Sequence, residues 1–315
     1  AALDQALAAR GNRLHYFVGD SGEVLEHLLR VTGAAQVLWN RCYEPASTAV
    51  DEQISQRLED LGVQRQSFNA ALWWEPLELA TSTGGPYRVF TPFWNRMLKD
   101  WRQPQPSSAP AQIPATSLES VSYRDEVGLE TLGLLPRLNW AAGFADHWQP
   151  GEGRAQQRLT RFVNEAGSGY KEQRDLPALD GTSGLSPHLH FGEISPRQIV
   201  AACCPQGHAP IDPGLMAYVR EVAWREFSYH LLHHFPETTR EPLNPRFNNF
   251  TWVADQSPAL ARWQRGETGI PLVDAGMRQL WQSGWMHNRL RMVVASFLTK
   301  NLLIPWQEGA RWFWD

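Results

Sequence analysis

The feature that most restricts the fold of this 315-residue chain is an alternation confined to its first third. Three short runs, Leu14–Val18, Gln36–Asn40 and Val63–Phe68, have the length and composition of strands. Between them lie segments of helical period. Leu3–Arg10 leads in, Glu23–Val31 places Val24, Leu25, Leu28 and Leu29 on one face, and Ala49–Leu61 is stopped by Gly62. Short strands separated by helices predict parallel βαβ units, hence a sheet covered on both faces. Such sheets bind ligands beyond the carboxyl ends of their strands. No GxGxxG or P-loop is present, so the pattern predicts a Rossmann-like α/β fold without naming a ligand.

The alternation then stops. Gly84-Gly-Pro86 reads as a turn, Phe93–Trp101 as a helix, and Gln103–Ser122 is rich in Pro, Ser and Ala, the composition of a linker. From Gly151 onward the pattern is helical: Arg154–Gly167, Pro196–Cys204, Leu215–Phe235 and more to the end. The expected organisation is an α/β domain over 1–102, a connecting region over 103–150, and an all-α domain over 151–315.

Composition narrows the function classes. Hydrophobic content of 43% supports a sizeable core. The net charge of −4 is divided as −5 over residues 1–150 and +1 over 151–315, so any affinity for a polyanion must come from a local patch in the second half. Cys42, Cys203 and Cys204 form neither a disulfide framework nor a zinc motif, which fits a reducing compartment; the expected location is cytoplasmic. No apolar run reaches the ~18 residues of a membrane span. The chain opens on Ala-Ala-Leu-Asp without Met, inside a helical pattern, and closes on Trp314-Asp315 inside another; both ends read as cut.

Three stretches carry polar residues where a plain core would not. In Leu215–Phe235, Tyr218, Glu221, Trp224 and Arg225 share a broad helical face. They suit a cavity for a flat polar ligand, or Glu221 and Arg225 form an ordinary surface pair. After the break at Gly284, a helix expected from about Met286 places Asn288, Arg291, Met292 and Ala295 on one face, which is either solvated or opposite something polar. Gly181-Thr-Ser-Gly-Leu-Ser-Pro187 offers hydroxyls and backbone N–H groups, with Ser186 as N-cap and Pro187 as first helical residue; it is an anion loop or a capped turn. Fifteen tryptophans exceed what packing usually calls for, since each buried indole N–H needs a partner.

Seven stretches in order carry a resemblance. They are Trp39-Asn-Arg-Cys-Tyr-Glu-Pro45, Gly85-Pro-Tyr-Arg-Val-Phe-Thr-Pro-Phe-Trp94, Tyr170-Lys-Glu-Gln-Arg-Asp175, Gly181–Pro187, Glu221-Val-Ala-Trp-Arg-Glu-Phe227, Gly269-Ile-Pro-Leu-Val-Asp274 and Gly284-Trp-Met-His-Asn-Arg-Leu-Arg-Met292. From about Gly33 to its end the chain resembles the cryptochrome/photolyase family of flavoproteins, most closely class I cyclobutane pyrimidine dimer photolyases. The resemblance implies an α/β antenna domain followed by an all-α FAD-binding domain, both incomplete here. It implies light-driven repair of pyrimidine dimers in DNA, a carbon–carbon lyase reaction, by a monomer. A blue-light photoreceptor of the cryptochrome type is the alternative, and a helical protein that binds only nucleic acid is a third reading.

Position by position, the resemblance implies that Tyr170 and the loop Thr182, Ser183, Gly184, Leu185 and Ser186 hold the flavin phosphates and ribose. Tyr218, Glu221, Arg225, Asn288 and Arg291 would line the FAD pocket, with Arg225 converging on the Thr182–Ser186 loop as a phosphate partner. Glu221, Trp224, Asn288, Arg289 and Met292 would line the lesion pocket, Glu221 donating to a thymine carbonyl. Trp252 and Trp306 would be outer and middle members of an electron relay. A second chromophore, methenyltetrahydrofolate or a deazaflavin, would sit near Asn40, Arg41, Tyr43 and Glu44. No metal is implied. The family's first strand, and beyond residue 315 an Asp-x-Asp loop, an Asn near the flavin and two tryptophans, are expected outside this chain.

Overall fold

The computed structural model describes residues 1–113, 126–253 and 257–314. In chain order the elements are α1 (Ala2–Ala8), β1 (Tyr16–Phe17), α2 (Ser21–Thr32), β2 (Gln36–Asn40), α3 (Pro45–Asp60), β3 (Gln64–Phe68), α4 (Phe90–Lys99), β4 (Glu126–Val127), α5 (Phe144–His147), α6 (Glu152–Arg161), α7 (Tyr170–Gln173), α8 (Ser186–His190), α9 (Pro196–Cys203), α10 (Pro213–His234), α11 (Ser257–Arg265), α12 (Pro271–Ser283), α13 (Asn288–Ser296) and α14 (Trp306–Trp314). The α/β class followed by helices agrees with the sequence pattern. Of the expected linker, 114–122 lie outside the described residues.

The sheet departs from expectation in detail. β2 and β3 pair in parallel, Gln36 opposite Gln64 through Asn40 opposite Phe68. The first predicted strand does not extend this pair. Only Tyr16 and Phe17 are extended with a partner, and they pair antiparallel with Glu126 and Val127. Nor is the parallel pair covered on both faces: Leu38 is 55% and Phe68 42% exposed. A pair whose first strand is recruited elsewhere has too few strands to bury both of its faces.

The chain divides into two compact units, and packing does not divide it at residue 103. The first comprises Ala1–Leu135, Pro150–Lys171 and Thr182–Pro236; the second comprises Pro136–Gln149, Glu172–Gly181 and Glu237 onward. In the first, one apolar core joins Trp73, Trp74, Phe90, Phe93 and Met97 to Leu159, Ile199, Val219, Ala223 and Phe227. α4 supplies Phe90, Phe93, Trp94 and Met97 at i, i+3, i+4 and i+7, one continuous stripe. α6 runs into a π turn at Phe162–Ala166 rather than continuing as one α-helix to Gly167. Gly214 and Gly167 permit a tight crossing, since a Cβ on Gly214 would lie 2.3 Å from the Gly167 carbonyl oxygen.

The second unit is built on Trp263, which is fully buried and donates Nε1–H to the Val294 carbonyl at 3.0 Å. Around it pack Val273, Met277, Met286, Leu290, Leu298 and Ile304. α12 ends at Gly284 in the left-handed conformation, φ 68°. α13 then begins at Asn288, two residues later than expected, because His287 caps it by accepting the Arg289 N–H on Nδ1 at 3.1 Å.

Candidate functional site

α10 carries the first group of candidate residues, and buried polar bonds fix it in the core. Asp212 caps it, accepting the Leu215 N–H at 2.9 Å. On its buried side Glu226 Oε2 accepts the N–H groups of Trp73 at 2.8 Å and Trp74 at 3.0 Å. One turn on, His230 Nε2 accepts the Tyr87 N–H at 3.0 Å, which leaves the proton on Nδ1 to be donated to the Pro76 carbonyl at 3.1 Å. Burial pushes Glu226 up to about 7, against the pull of its backbone donors and Arg225. Burial, with His234 adding to it, brings His230 down to about 4.

The other side of α10 is graded from core to surface. Tyr218 is buried, its ring 4.4 Å from Phe162 and 5.3 Å from Tyr170, and burial raises its pKa. Glu221 is half-buried. Trp224 is 43% exposed yet fixed: its indole stacks on buried Phe90 with centroids 3.7 Å apart and planes within 12°. Arg220 reaches the same Phe90 ring, 5.5 Å from its centroid. A flat apolar surface facing solvent, with a carboxyl group and a cation on the same helix, can receive a flat polar ring.

Arg225 does not take the place expected of it. Its Nη1 donates to the Ala71 carbonyl at 2.6 Å, and its guanidinium lies 4.8 Å from the Tyr229 ring centroid. Two helical turns separate it from Tyr218, so it is engaged at the 69–75 loop and not at Thr182–Ser186. The cation that meets that loop is Arg158 of α6, which donates Nε–H to the Ser183 carbonyl at 2.9 Å. Gly184 sits at φ +58°, and a Cβ there would lie 2.5 Å from Arg158 Nη2. The Ser183 hydroxyl accepts the Leu185 N–H at 3.3 Å and is hydrogen-bonded to Tyr218. Leu185 is buried and anchors the loop. The start of α8 also differs: Leu185 is its N-cap and Ser186 its first residue, with no side-chain cap.

In the second unit α13 presents Asn288, Arg291 and Met292 as an exposed face, while Leu290 and Val294 point inward. Arg289 Nε donates to Asp175 at 2.5 Å, and its Nη1 approaches the Met292 sulfur at 3.5 Å. Arg291 lies over the Phe313 ring, 5.5 Å from its centroid. Trp252 packs on Phe250 at 4.5 Å, and half-buried Trp306 opens α14. Trp140, Phe144, Trp281, Trp312 and Trp314 line a cavity of about 460 Å³ in this unit, which accounts for part of the tryptophan excess.

At the expected second-chromophore position, Tyr43 donates its hydroxyl to Glu75, 3.1 Å from both oxygens, and Arg41 lies 3.5 Å from Glu75. Burial and that carboxylate raise the Tyr43 pKa. Sequence reasoning missed Arg158, Glu226, His230 and His287. Glu226 and His230 were findable. They fall on the stripe of Val219, Val222 and Ala223, where a plain core helix would carry apolar residues. Arg158 depends on a pairing 25 residues along the chain, for which a single sequence holds no signal, and His287 acts as a local N-cap, a position usually taken by Ser, Thr, Asp or Asn.

Two family models match the chain: "DNA photolyase" over residues 1–111 and "FAD binding domain of DNA photolyase" over 218–315. A deoxyribodipyrimidine photo-lyase of Agrobacterium fabrum is 45% identical over all of this chain and 65% of its own length. Cryptochrome-2 of Arabidopsis thaliana is 33% identical over all of this chain and 53% of its own length. The crystal structure of a class III photolyase from Agrobacterium tumefaciens superposes with a TM-score of 0.93 at 44% identity, covering all of this chain and 64% of that one. The chain thus spans about two thirds of the length of these photolyases, and the structural relative is described as class III where the motifs pointed to class I.

Proposed function

The chain belongs to the cryptochrome/photolyase family, and on that premise we propose that it serves light-driven repair of cyclobutane pyrimidine dimers in DNA, with FAD as its cofactor. The observation that carries this reading is Trp224: an indole 43% exposed and yet held rigid on Phe90. A dimerised base pair inside a duplex must be flipped out to be reached; photolyases are a standard example of this. A fixed, solvent-facing indole offers the flipped lesion an apolar wall at little cost in conformational entropy. Glu221, one turn earlier, would donate to a thymine carbonyl, and Asn288, Arg289 and Met292 would supply further contacts. Arg289 would also grip a flanking phosphate.

The residues of the first unit fit FAD. The Thr182–Ser186 loop closes on Gly184, whose missing Cβ leaves backbone and guanidinium in close approach. Tyr170 and Tyr218 give a buried aromatic floor beside the Ser183 hydroxyl. Asn288 and Arg291 would face the flavin ring. Bound in reduced form, FAD supplies a light-driven one-electron donation; the protein supplies binding, orientation and field. Trp252 and Trp306 keep the relay role the resemblance implies, Asn40, Arg41, Tyr43 and Glu44 would adjoin a folate or deazaflavin antenna, and the acting form is a cytoplasmic monomer. Among the described residues, no helix is long and apolar enough to cross a membrane.

The test compares the purified chain with Glu221→Ala. Flavin absorbance is expected in both, with light-dependent loss of thymine dimers from DNA lowered in the variant. Equal repair under limiting light would remove Glu221 from the lesion pocket. Flavin without any repair would favour the photoreceptor, and absence of flavin would leave the nucleic-acid-binding reading.

A further inference from the structure

The cation at the Thr182–Ser186 loop is Arg158, and nothing in the family motifs points to it. Its Nε–H donates to the Ser183 carbonyl at 2.9 Å, and its guanidinium is laid against Gly184 so closely that a Cβ would overlap Nη2, Nε and Cζ at 2.5, 2.8 and 2.9 Å. The same serine is bonded through its hydroxyl to the Leu185 N–H and to Tyr218. The serine is therefore fixed at its carbonyl by Arg158 and at its hydroxyl by the core. Arg158 itself is placed by α6, whose Ala155 and Leu159 are fully buried on either side of it in sequence.

We propose that Arg158 is a positioning residue for the diphosphate of the flavin cofactor: it sets the conformation of the Thr182–Ser186 loop and places a permanent positive charge directly behind it. This rests on the reading of that loop as a cofactor loop, and it assigns to Arg158 the electrostatic role expected of Arg225. Arginine suits the task because its planar fork holds a carbonyl while remaining charged at any physiological pH. Gly184 is required for the same reason. Its left-handed φ and the pressed guanidinium both exclude a side chain.

The experiment titrates FAD into the flavin-stripped chain and into Arg158→Met, Arg158→Lys and Gly184→Ala, at low and high salt. Hydrogen exchange of residues 183–186 is followed in the flavin-free proteins. Arg158→Met is expected to weaken FAD binding at least about tenfold, the worth of one charge-assisted hydrogen bond. It should also flatten the salt dependence and speed exchange in the loop. Arg158→Lys should restore the salt dependence while leaving exchange fast, which separates charge from geometry. Gly184→Ala should displace the guanidinium and reproduce the Arg158→Met affinity. Unchanged FAD affinity and salt dependence in Arg158→Met would overturn the proposal. So would a loss of affinity that follows lost thermal stability with an unaltered salt dependence. If the unsubstituted chain binds no FAD, the cofactor reading fails instead; the exchange comparison still decides whether Arg158 sets the loop.

Discussion

Helix α10 is held from inside: Glu226 accepts two backbone N–H groups, His230 bridges Tyr87 and Pro76, and Arg225 reaches the Ala71 carbonyl. Helix α13 is held mainly on its apolar side, where the Trp263 indole also bonds the Val294 carbonyl, and its polar face, Asn288, Arg291 and Met292, is exposed, with Arg289 tied to one exposed carboxylate. The same kind of residue, polar on a helix in the family's motifs, therefore does two jobs. In α10 the polar residues on the buried side build the platform on which Tyr218 and Trp224 stand. In α13 they stay on the surface. The energetic consequence is that stability should depend steeply on the α10 set and weakly on the α13 set.

The largest effect is expected for Glu226→Ala. It strands two buried backbone donors at about 1–3 kcal/mol each, so a loss of roughly 2–6 kcal/mol is predicted by denaturant unfolding. A loss no larger than that of an α13 surface substitution would break the comparison.

Titration sharpens it. Glu226, raised to about 7 when folded, binds its proton more tightly in the native chain, so its contribution is greatest below its unfolded pKa of 4.5 and is lost as pH rises toward 7. His230, lowered from 6.5 to about 4, does the reverse: its contribution is full above 6.5 and is lost as pH falls toward 4. The two slopes oppose each other between pH 4.5 and 6.5. Glu226→Gln should uncover a fall in stability on acidification, and His230→Gln a fall on raising the pH. Melting temperatures across that range would show the two variants diverging in opposite directions; parallel profiles would refute the assignment.

Much of this was legible beforehand, and the reasons are particular. The helical periods and the βαβ alternation locate most elements, since α4, α6, α10 and α13 are amphipathic or punctuated by Gly and Pro. Helical spacing puts Tyr218, Glu221 and Trp224 on one broad face, which in the structure runs from buried to exposed. What escaped are choices between partners distant in sequence. Whether Tyr16 pairs with Leu38's strand or with Val127, and whether the Ser183 loop meets Arg225 or Arg158, depends on tertiary packing that local pattern does not encode.

Smaller effects follow. Trp224→Ala removes a ring stack worth about 0.5–1.5 kcal/mol beyond its burial and uncovers Phe90. Modest destabilisation is expected, with a much larger fall in affinity for dimer-containing over undamaged oligonucleotide; an equal fall for both would mean that Trp224 does not read the lesion. Arg289→Ala should cost no more than about 1 kcal/mol of stability, since its ion pair with Asp175 is exposed. It should weaken DNA binding and lower its salt dependence by about one phosphate contact.

The central proposal is that this scaffold presents a lesion-binding surface to a light-driven cofactor. The direct measurement incubates the purified chain with an oligonucleotide carrying one thymine dimer, under blue light and in darkness, and quantifies restored thymines. The account predicts restoration in the light, none in darkness, and a marked loss in Trp224→Ala with flavin still bound. Flavin-loaded protein that binds the dimer no better than undamaged DNA, and restores none of it in the light, would contradict it.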